Sequence, residues 1–156
     1  MTPGDAPAQA TVWPLTEAQA GLWYAQQLAP HNPSFNTAHA LWIHGALNVP
    51  AFAAAADQAV REAQSLSLAM RQGSAGPEQW LDVARTPWLE QIDLSAERDA
   101  SAAARAAMAA DMDTPIDPTR QALARQCLHR LGPDRFVWYQ RAHHLANDGY
   151  GMALWT

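Results

Sequence analysis

The stretch RFVWYQRAHHLANDGYG, residues 135–151, decides how the last part of this chain folds. Apolar and polar residues alternate up to the histidines, and this pattern predicts a strand. The preceding run ALARQCLHRL, residues 122–131, alternates in the same way, and the turn residues GPD separate the two runs. We therefore expect an antiparallel hairpin that carries two adjacent histidines at its end.

On a regular strand, His143 and His144 point to opposite faces because side chains alternate. The two imidazoles then cannot meet one substrate, so we expect one to be catalytic and the other structural. A histidine that is neutral near pH 7 can accept a proton or orient an amine or hydroxyl. Asp148 is expected to orient a ring or fix the loop. Gly149 is expected to permit a tight turn and close approach of the backbone.

Two other interpretations fit the same spacing. The histidines could simply end a strand at the surface, or His143, His144 and Asp148 could ligate a metal. The opposite-face geometry disfavours a metal, as does the lack of a nearby cysteine or a clear third ligand.

The rest of the sequence predicts alternating helices and strands. The elements expected in order are a helix capped by Thr16, a strand over 37–45, a helix opened by Pro50, strands over 65–72, 78–83 and 88–94, and a helix capped by Ser95. The expected buried face of the first helix comprises Leu15, Ala18, Leu22, Ala25 and Leu28. A further helix begins within residues 149–156. This order predicts an α/β sandwich with a mixed sheet.

Composition limits the possible partners. The 156 residues carry a net charge of −5 without a basic cluster, which argues against nucleic acid and anionic membranes. The single cysteine, Cys127, lies in an apolar alternation and is expected to be a buried structural thiol in a reducing compartment. The start lacks a signal peptide and charges interrupt every alanine-rich run, so we expect a cytoplasmic protein.

The ends of the sequence suggest a boundary and a continuation. Residues 1–12 are predicted to be a flexible lead-in, and residues 13–156 a single domain. The chain stops inside the apolar segment MALW, so we expect it to be the first part of a longer polypeptide. In that case Met152, Leu154 and Trp155 are expected to lack their usual cover.

Two motifs resemble those of a known family. HHLANDG, residues 143–149, resembles the HHxxxDG signature of the condensation domains of nonribosomal peptide synthetases. PLTEAQAGLWYAQQLAPHNPSFNTA, residues 14–38, is similar to the opening motif of that family. The motifs stand in the right order, and the resemblance covers residues 13–156.

The resemblance implies a chloramphenicol-acetyltransferase-like fold in two lobes, of which this chain is the N-terminal lobe. It implies formation of an amide bond between an acyl or peptidyl thioester and an aminoacyl acceptor. Donor and acceptor peptidyl carrier proteins hold both groups on phosphopantetheine arms, so no cofactor is expected in this lobe. The C-terminal lobe and a downstream adenylation domain are the other implied partners. Siderophore or antibiotic biosynthesis is the implied setting.

The resemblance also assigns roles to residues. It implies that His144 is the catalytic base or amine-positioning group and that His143 and Asp148 hold the loop. Two features depart from the family pattern. Ser67 and Ala69 replace the arginines of an LRxRF strand, and Gly151 stands where a serine usually follows the aromatic residue. Asp148 then needs another cationic or hydrogen-bonding partner, expected to be Arg141, Arg71 or an arginine of the absent lobe.

Two alternative functions remain open at this point. One is a degenerate lobe that docks carrier proteins or tailoring enzymes without catalysis, which the missing arginines favour and the intact HHxxxDG group opposes. The other is an acyltransferase of the same superfamily that uses a soluble thioester such as acyl-CoA, which the opening motif opposes.

Overall fold

The computed structural model describes residues 10–155 and confirms a mixed α/β chain. Its elements are β1 (Val12–Pro14), α1 (Glu17–Leu28), β2 (Asn36–His44), α2 (Val49–Glu62), β3 (Leu68–Gly73), β4 (Gly76–Leu81), β5 (Leu89–Asp93), α3 (Ala100–Met112), β6 (Ala124–Gly132), β7 (Arg135–His143) and α4 (Gly149–Trp155). Of the predicted lead-in, residues 1–9 lie outside the described part, and Val12 already belongs to a strand.

The strands form two sheets. The larger sheet has the order β2-β7-β6-β5, in which β5 runs parallel to β6 and the other neighbours are antiparallel. The smaller, antiparallel sheet has the order β1-β4-β3. The mixed sheet and the predicted hairpin, β6-β7, are therefore confirmed, and β3 and β4 form a second hairpin. The long hairpin places the end of β7 beside the start of β2, where Asn36 pairs with His143.

Helices cover both faces of the larger sheet. Phe136 and Trp138 of β7 pack with Ala56 of α2, and Phe52 meets the Trp138 ring edge-on at 5.1 Å. On the other face, Val137 packs with Ala104 of α3. Because β7 is buried on both sides, its position is fixed by the whole core, and so is the segment that follows it.

Asp111 of α3 ties that helix to the large sheet. Its Oδ1 accepts a hydrogen bond from Arg125 at 3.0 Å, and its Oδ2 accepts one from the Tyr139 hydroxyl at 2.8 Å. The Arg141 Nε lies 3.2 Å from Oδ2, and its Nη1 donates to the Asp111 carbonyl oxygen at 3.0 Å. One carboxylate therefore satisfies groups on two neighbouring strands.

We expect Asp111→Asn to lower the free energy of unfolding by about 1–3 kcal/mol, because the buried Arg141 and its neighbours lose their anionic acceptor. Urea denaturation measures this loss. Asp113→Asn is the matched control, since Asp113 is exposed at the C-cap of the same helix. Equal stability of the two variants would contradict the role given to Asp111.

Several local predictions need correction. The Thr16 cap of α1 is confirmed, with a capping box to Gln19. The predicted apolar face is wrong in detail, because α1 buries Trp23 and Gln26 while Leu28 is 89% exposed. Ser95 is not the cap of α3. Asp99 takes that role and accepts from the Ala102 N–H at 2.9 Å.

Apolar cover at the end of the chain also differs from expectation. Met152 and Trp155 are 5% and 3% exposed and pack against Val60 and Leu66, whereas Leu154 is 70% exposed. Two of the three residues expected to be uncovered are therefore buried within this lobe. No helix within residues 10–155 is long and apolar enough to cross a bilayer.

Candidate active site

A tight turn joins β7 to α4 and contains the second histidine. The His143 carbonyl oxygen accepts from the Ala146 N–H at 2.8 Å and from the Asn147 N–H at 3.3 Å. The His144 N–H donates to the Phe35 carbonyl oxygen at 2.9 Å. The strand ends at His143, so His144 does not continue the alternation of β7. The two imidazoles are nevertheless separated, because the chain turns between them.

His143 is enclosed and fully hydrogen-bonded. Its side chain is 1% exposed, and the Phe35 ring lies 5.9 Å from it between centroids. Its Nδ1 accepts from the Leu145 N–H at 3.1 Å, so the proton must sit on Nε2, which donates to Gln26 Oε1 at 3.2 Å. Both ring nitrogens are therefore occupied by neutral partners.

Gln26, which sequence reasoning did not select, is the partner that secures this histidine. It is 2% exposed, and its Nε2 points at the carbonyl oxygens of Ala29, Pro30 and Asn32 at 3.2–3.5 Å. The available signal in the sequence was its spacing, because residues three apart on a helix, such as Trp23 and Gln26, share a face. Gln26 thus fixes His143 to the loop between α1 and β2.

Burial lowers the pKa of His143 from 6.5 to about 4, with His144 and Arg141 adding to the effect. The unfolded chain therefore binds more protons than the folded chain between these two values, so acid favours unfolding in that window. We expect the free energy of unfolding to fall by about 3 kcal/mol from this group as the pH drops from 6.5 to 4.

Urea unfolding measured across this pH range checks the expectation. His143→Gln should flatten the curve, because a glutamine cannot gain the proton. An unchanged pH slope in that variant would show that other groups carry the acid sensitivity.

His144, by contrast, is exposed on the wall of a pocket of about 620 Å³. Asp148 also lines this pocket, as do Trp13 of β1, Leu22 of α1 and Gln79 of β4. An accessible imidazole in a partly apolar pocket can accept a proton from a nucleophile or hold it in place. Of the two histidines, His144 lines this pocket, whereas His143 is buried.

Asp148 and Gly149 occupy positions that differ from those expected. Asp148 is exposed, and its Oδ1 accepts from the Gly151 N–H at 2.8 Å while its carbonyl accepts from the Met152 N–H at 2.9 Å. It therefore caps α4, and its partner is a backbone N–H and not an arginine as expected. Arg141, one of the partners expected for it, pairs with Asp111 instead. Gly149 does not adopt a left-handed conformation, and a Cβ there would meet no atom within 4 Å.

The positions without arginine are filled by small residues. The Ser67 hydroxyl lies 3.0 Å from that of Thr86, and Ala69 is fully buried in β3. Arg71, the other expected partner of Asp148, pairs with Glu78 on β4. Both positions are therefore buried without the arginines of the family pattern.

The side chains at this turn are not arranged to bind a metal ion together. Both nitrogens of His143 are engaged with protein groups, so His143 and His144 cannot act together as ligands. Within the part of the chain that the structure describes, no group of three His, Cys, Asp or Glu side chains is arranged to hold a metal ion. Cys127 is buried, and burial raises the pKa of its thiol to about 12, as befits a structural residue.

Comparison with known proteins shows the family of this chain. The model of the "Condensation domain" family matches residues 9–154. A dimodular nonribosomal peptide synthase of Bacillus subtilis is 41% identical over 90% of this chain and 6% of its own length. Enterobactin synthase component F of Escherichia coli is 32% identical over 92% of this chain and 11% of its own length.

Solved structures show the same fold. The starter condensation domain of rhizomide synthetase RzmA superposes with a TM-score of 0.84 at 37% identity, over 93% of this chain and 35% of that chain. A variant of that domain, 36% identical with a TM-score of 0.83, was solved in complex with C8-CoA. The first condensation domain of the calcium-dependent antibiotic synthetase gives a TM-score of 0.79 at 31% identity. This chain spans about a third of these structures.

Proposed function

We propose that this chain supplies one wall of an amide-forming site. It belongs to the condensation-domain family of nonribosomal peptide synthetases. The proposal rests on the different surroundings of the two histidines. His143 is locked into the core by two hydrogen bonds, and His144 stands free beside it in a pocket. The complete domain would join an acyl or peptidyl thioester to an aminoacyl acceptor.

The proposed reaction needs one proton acceptor and a fixed amine. The amine nitrogen attacks the thioester carbonyl carbon, the C–N bond forms, the C–S bond breaks, and the thiolate leaves. A thiolate is a good leaving group, so acid assistance contributes little. His144 takes the amine proton or holds the amine in line, and either role is worth roughly 100-fold to 10,000-fold in rate.

The proposed partners follow from the family. Donor and acceptor carrier proteins would present their phosphopantetheine arms to the pocket, and the C-terminal lobe of the same domain would form the facing wall. An adenylation domain further along the polypeptide would charge the acceptor carrier. The phosphopantetheine belongs to the substrates and not to this lobe, and we propose a cytoplasmic location for the whole protein.

A soluble donor is the second candidate. The rhizomide starter domain that resembles this chain was solved with C8-CoA, and an isonitrile lipopeptide synthase of Streptomyces coeruleorubidus is 38% identical over 90% of this chain. Both observations favour a fatty acyl group as donor. An acyl-CoA thioester would then replace the carrier-bound donor, with the same attack by the acceptor amine.

Amide formation by the complete condensation domain that contains this chain tests both candidates. The acceptor carrier is loaded with an amino acid and mixed with either an acyl-loaded donor carrier or C8-CoA. Intact-protein mass spectrometry should show the acceptor carrier gaining the mass of the donor acyl group. An acceptor carrier loaded with the N-acetylated amino acid, which has no nucleophilic amine, is the control. Carrier binding without any mass gain from either donor would instead support a non-catalytic docking lobe.

A further inference from the structure

Gln19, in the first turn of α1, directly contacts the loop that carries His144 between β7 and α4. Its Nε2 donates to the Leu145 carbonyl oxygen at 2.9 Å, across 126 residues of sequence. The same nitrogen donates to Gln79 Oε1 at 3.0 Å on β4. Its Oε1 accepts from the Thr16 N–H at 3.0 Å and from Gln79 Nε2 at 2.9 Å. Every hydrogen-bonding position of this amide is therefore used.

Leu145 follows His144 directly, and both its N–H and its carbonyl oxygen are hydrogen-bonded. His143 Nδ1 accepts from the Leu145 N–H at 3.1 Å, and Gln19 holds the carbonyl oxygen. The Leu145 side chain is 1% exposed and packs with Trp23. Contacts at its amide, its carbonyl and its side chain therefore restrain the backbone next to His144.

We infer that Gln19 is a positioning residue that sets the direction of His144 through the Leu145 carbonyl. This inference rests on the proposed function, because it concerns the reaction at His144. The two ends of the Gln19 amide have separate tasks. The oxygen completes the cap of α1, and the nitrogen holds the turn. Substitutions can therefore remove one task and leave the other.

Gln19→Glu and Gln19→Lys form a reciprocal pair of variants. Glutamate at the N3 position of a capping box accepts from the cap N–H as glutamine does, so α1 keeps its cap. It has no donor, and its second oxygen faces the Leu145 carbonyl oxygen and repels it. Lysine keeps a donor for that carbonyl but loses the acceptor that the Thr16 N–H needs.

In the complete condensation domain we expect the two variants to rank in opposite order for kcat and for Tm. Gln19→Glu should lower kcat about tenfold, leave KM for the acceptor carrier within about twofold, and lower Tm by less than Gln19→Lys does. Gln19→Lys should lower Tm while holding kcat within about threefold. Gln27→Glu, an exposed glutamine on the same helix, is the control and should change neither quantity.

Steady-state rates and thermal melts on the same preparations decide the matter. Loss of kcat that follows loss of Tm in both variants would show a merely structural role and overturn the inference. Wild-type kcat in Gln19→Glu would do the same. If Gln19→Glu does not fold, a lower Tm with retained kcat in Gln19→Lys supports the inference, and a large kcat loss there contradicts it. A wild-type domain that forms no amide would instead refute the proposed function.

Discussion

His144→Ala in the complete condensation domain should reduce the rate of amide formation by about 100-fold or more. The imidazole is the exposed member of the histidine pair and lines the pocket, so the variant loses the group that we propose meets the acceptor amine. The fold should stay intact, because the backbone of residue 144 keeps its bond to the Phe35 carbonyl. Single-turnover kinetics with loaded carriers measures the loss.

A matched control separates this effect from a general loss of histidine. His44 is exposed at the far end of β2, and His44→Ala should keep the wild-type rate. A His144→Ala domain that is folded and turns over as fast as wild type would remove His144 from the chemistry.

His143→Ala should lower the free energy of unfolding by about 2–4 kcal/mol. The change empties a site that is 1% exposed and leaves Gln26 Oε1 and the Leu145 N–H without their partners. We also expect reduced activity, because the turn loses the hydrogen bond that holds the Leu145 N–H. Chemical denaturation at pH 7.5 checks the stability, since His143 is neutral in both states at that pH.

Comparison with two single variants makes this result specific. His144→Ala should denature within about 0.5 kcal/mol of wild type, as exposed substitutions usually do. Gln26→Ala should lose nearly as much stability as His143→Ala, because it removes the other half of the same bond. Full stability of His143→Ala would contradict the buried role of this histidine.

Local patterns were enough to predict most elements. The alternation in residues 122–144 predicted β6 and β7, and Thr16 and Pro50 marked the starts of two helices correctly. The separation of His143 from His144 was also predicted, although for the wrong reason. It arises from a turn that begins at His144 and not from an alternation that continues through it.

Long-range pairings could not be predicted, because no local pattern encodes them. The three-residue strand β1 exists only through its pairing with β4, where Val12 faces Trp80. Gln26 lies 117 residues from His143. Each of these contacts depends on the assembled core, which a window of neighbouring residues does not contain.

The burial of Met152 and Trp155 was also not predicted. Their cover was expected from outside this lobe, but α2 supplies it through Val60. Asp148 was expected to seek an arginine. Its nearest backbone donor, the Gly151 N–H, satisfies it at the start of α4. In both cases a close partner made the distant one unnecessary.

Labelling of the histidine pair tests most directly the central claim that His144 alone faces the substrate. An acceptor carrier whose phosphopantetheine arm bears a bromoacetyl group is incubated with the complete domain, and peptide mass spectrometry locates the adduct. Alkylation joins an imidazole nitrogen to the methylene carbon of the bromoacetyl group and releases bromide. We predict an adduct on His144 with His143 unmodified, because both nitrogens of His143 are hydrogen-bonded inside the core. An adduct on His143, or equal labelling of both residues, would contradict the account.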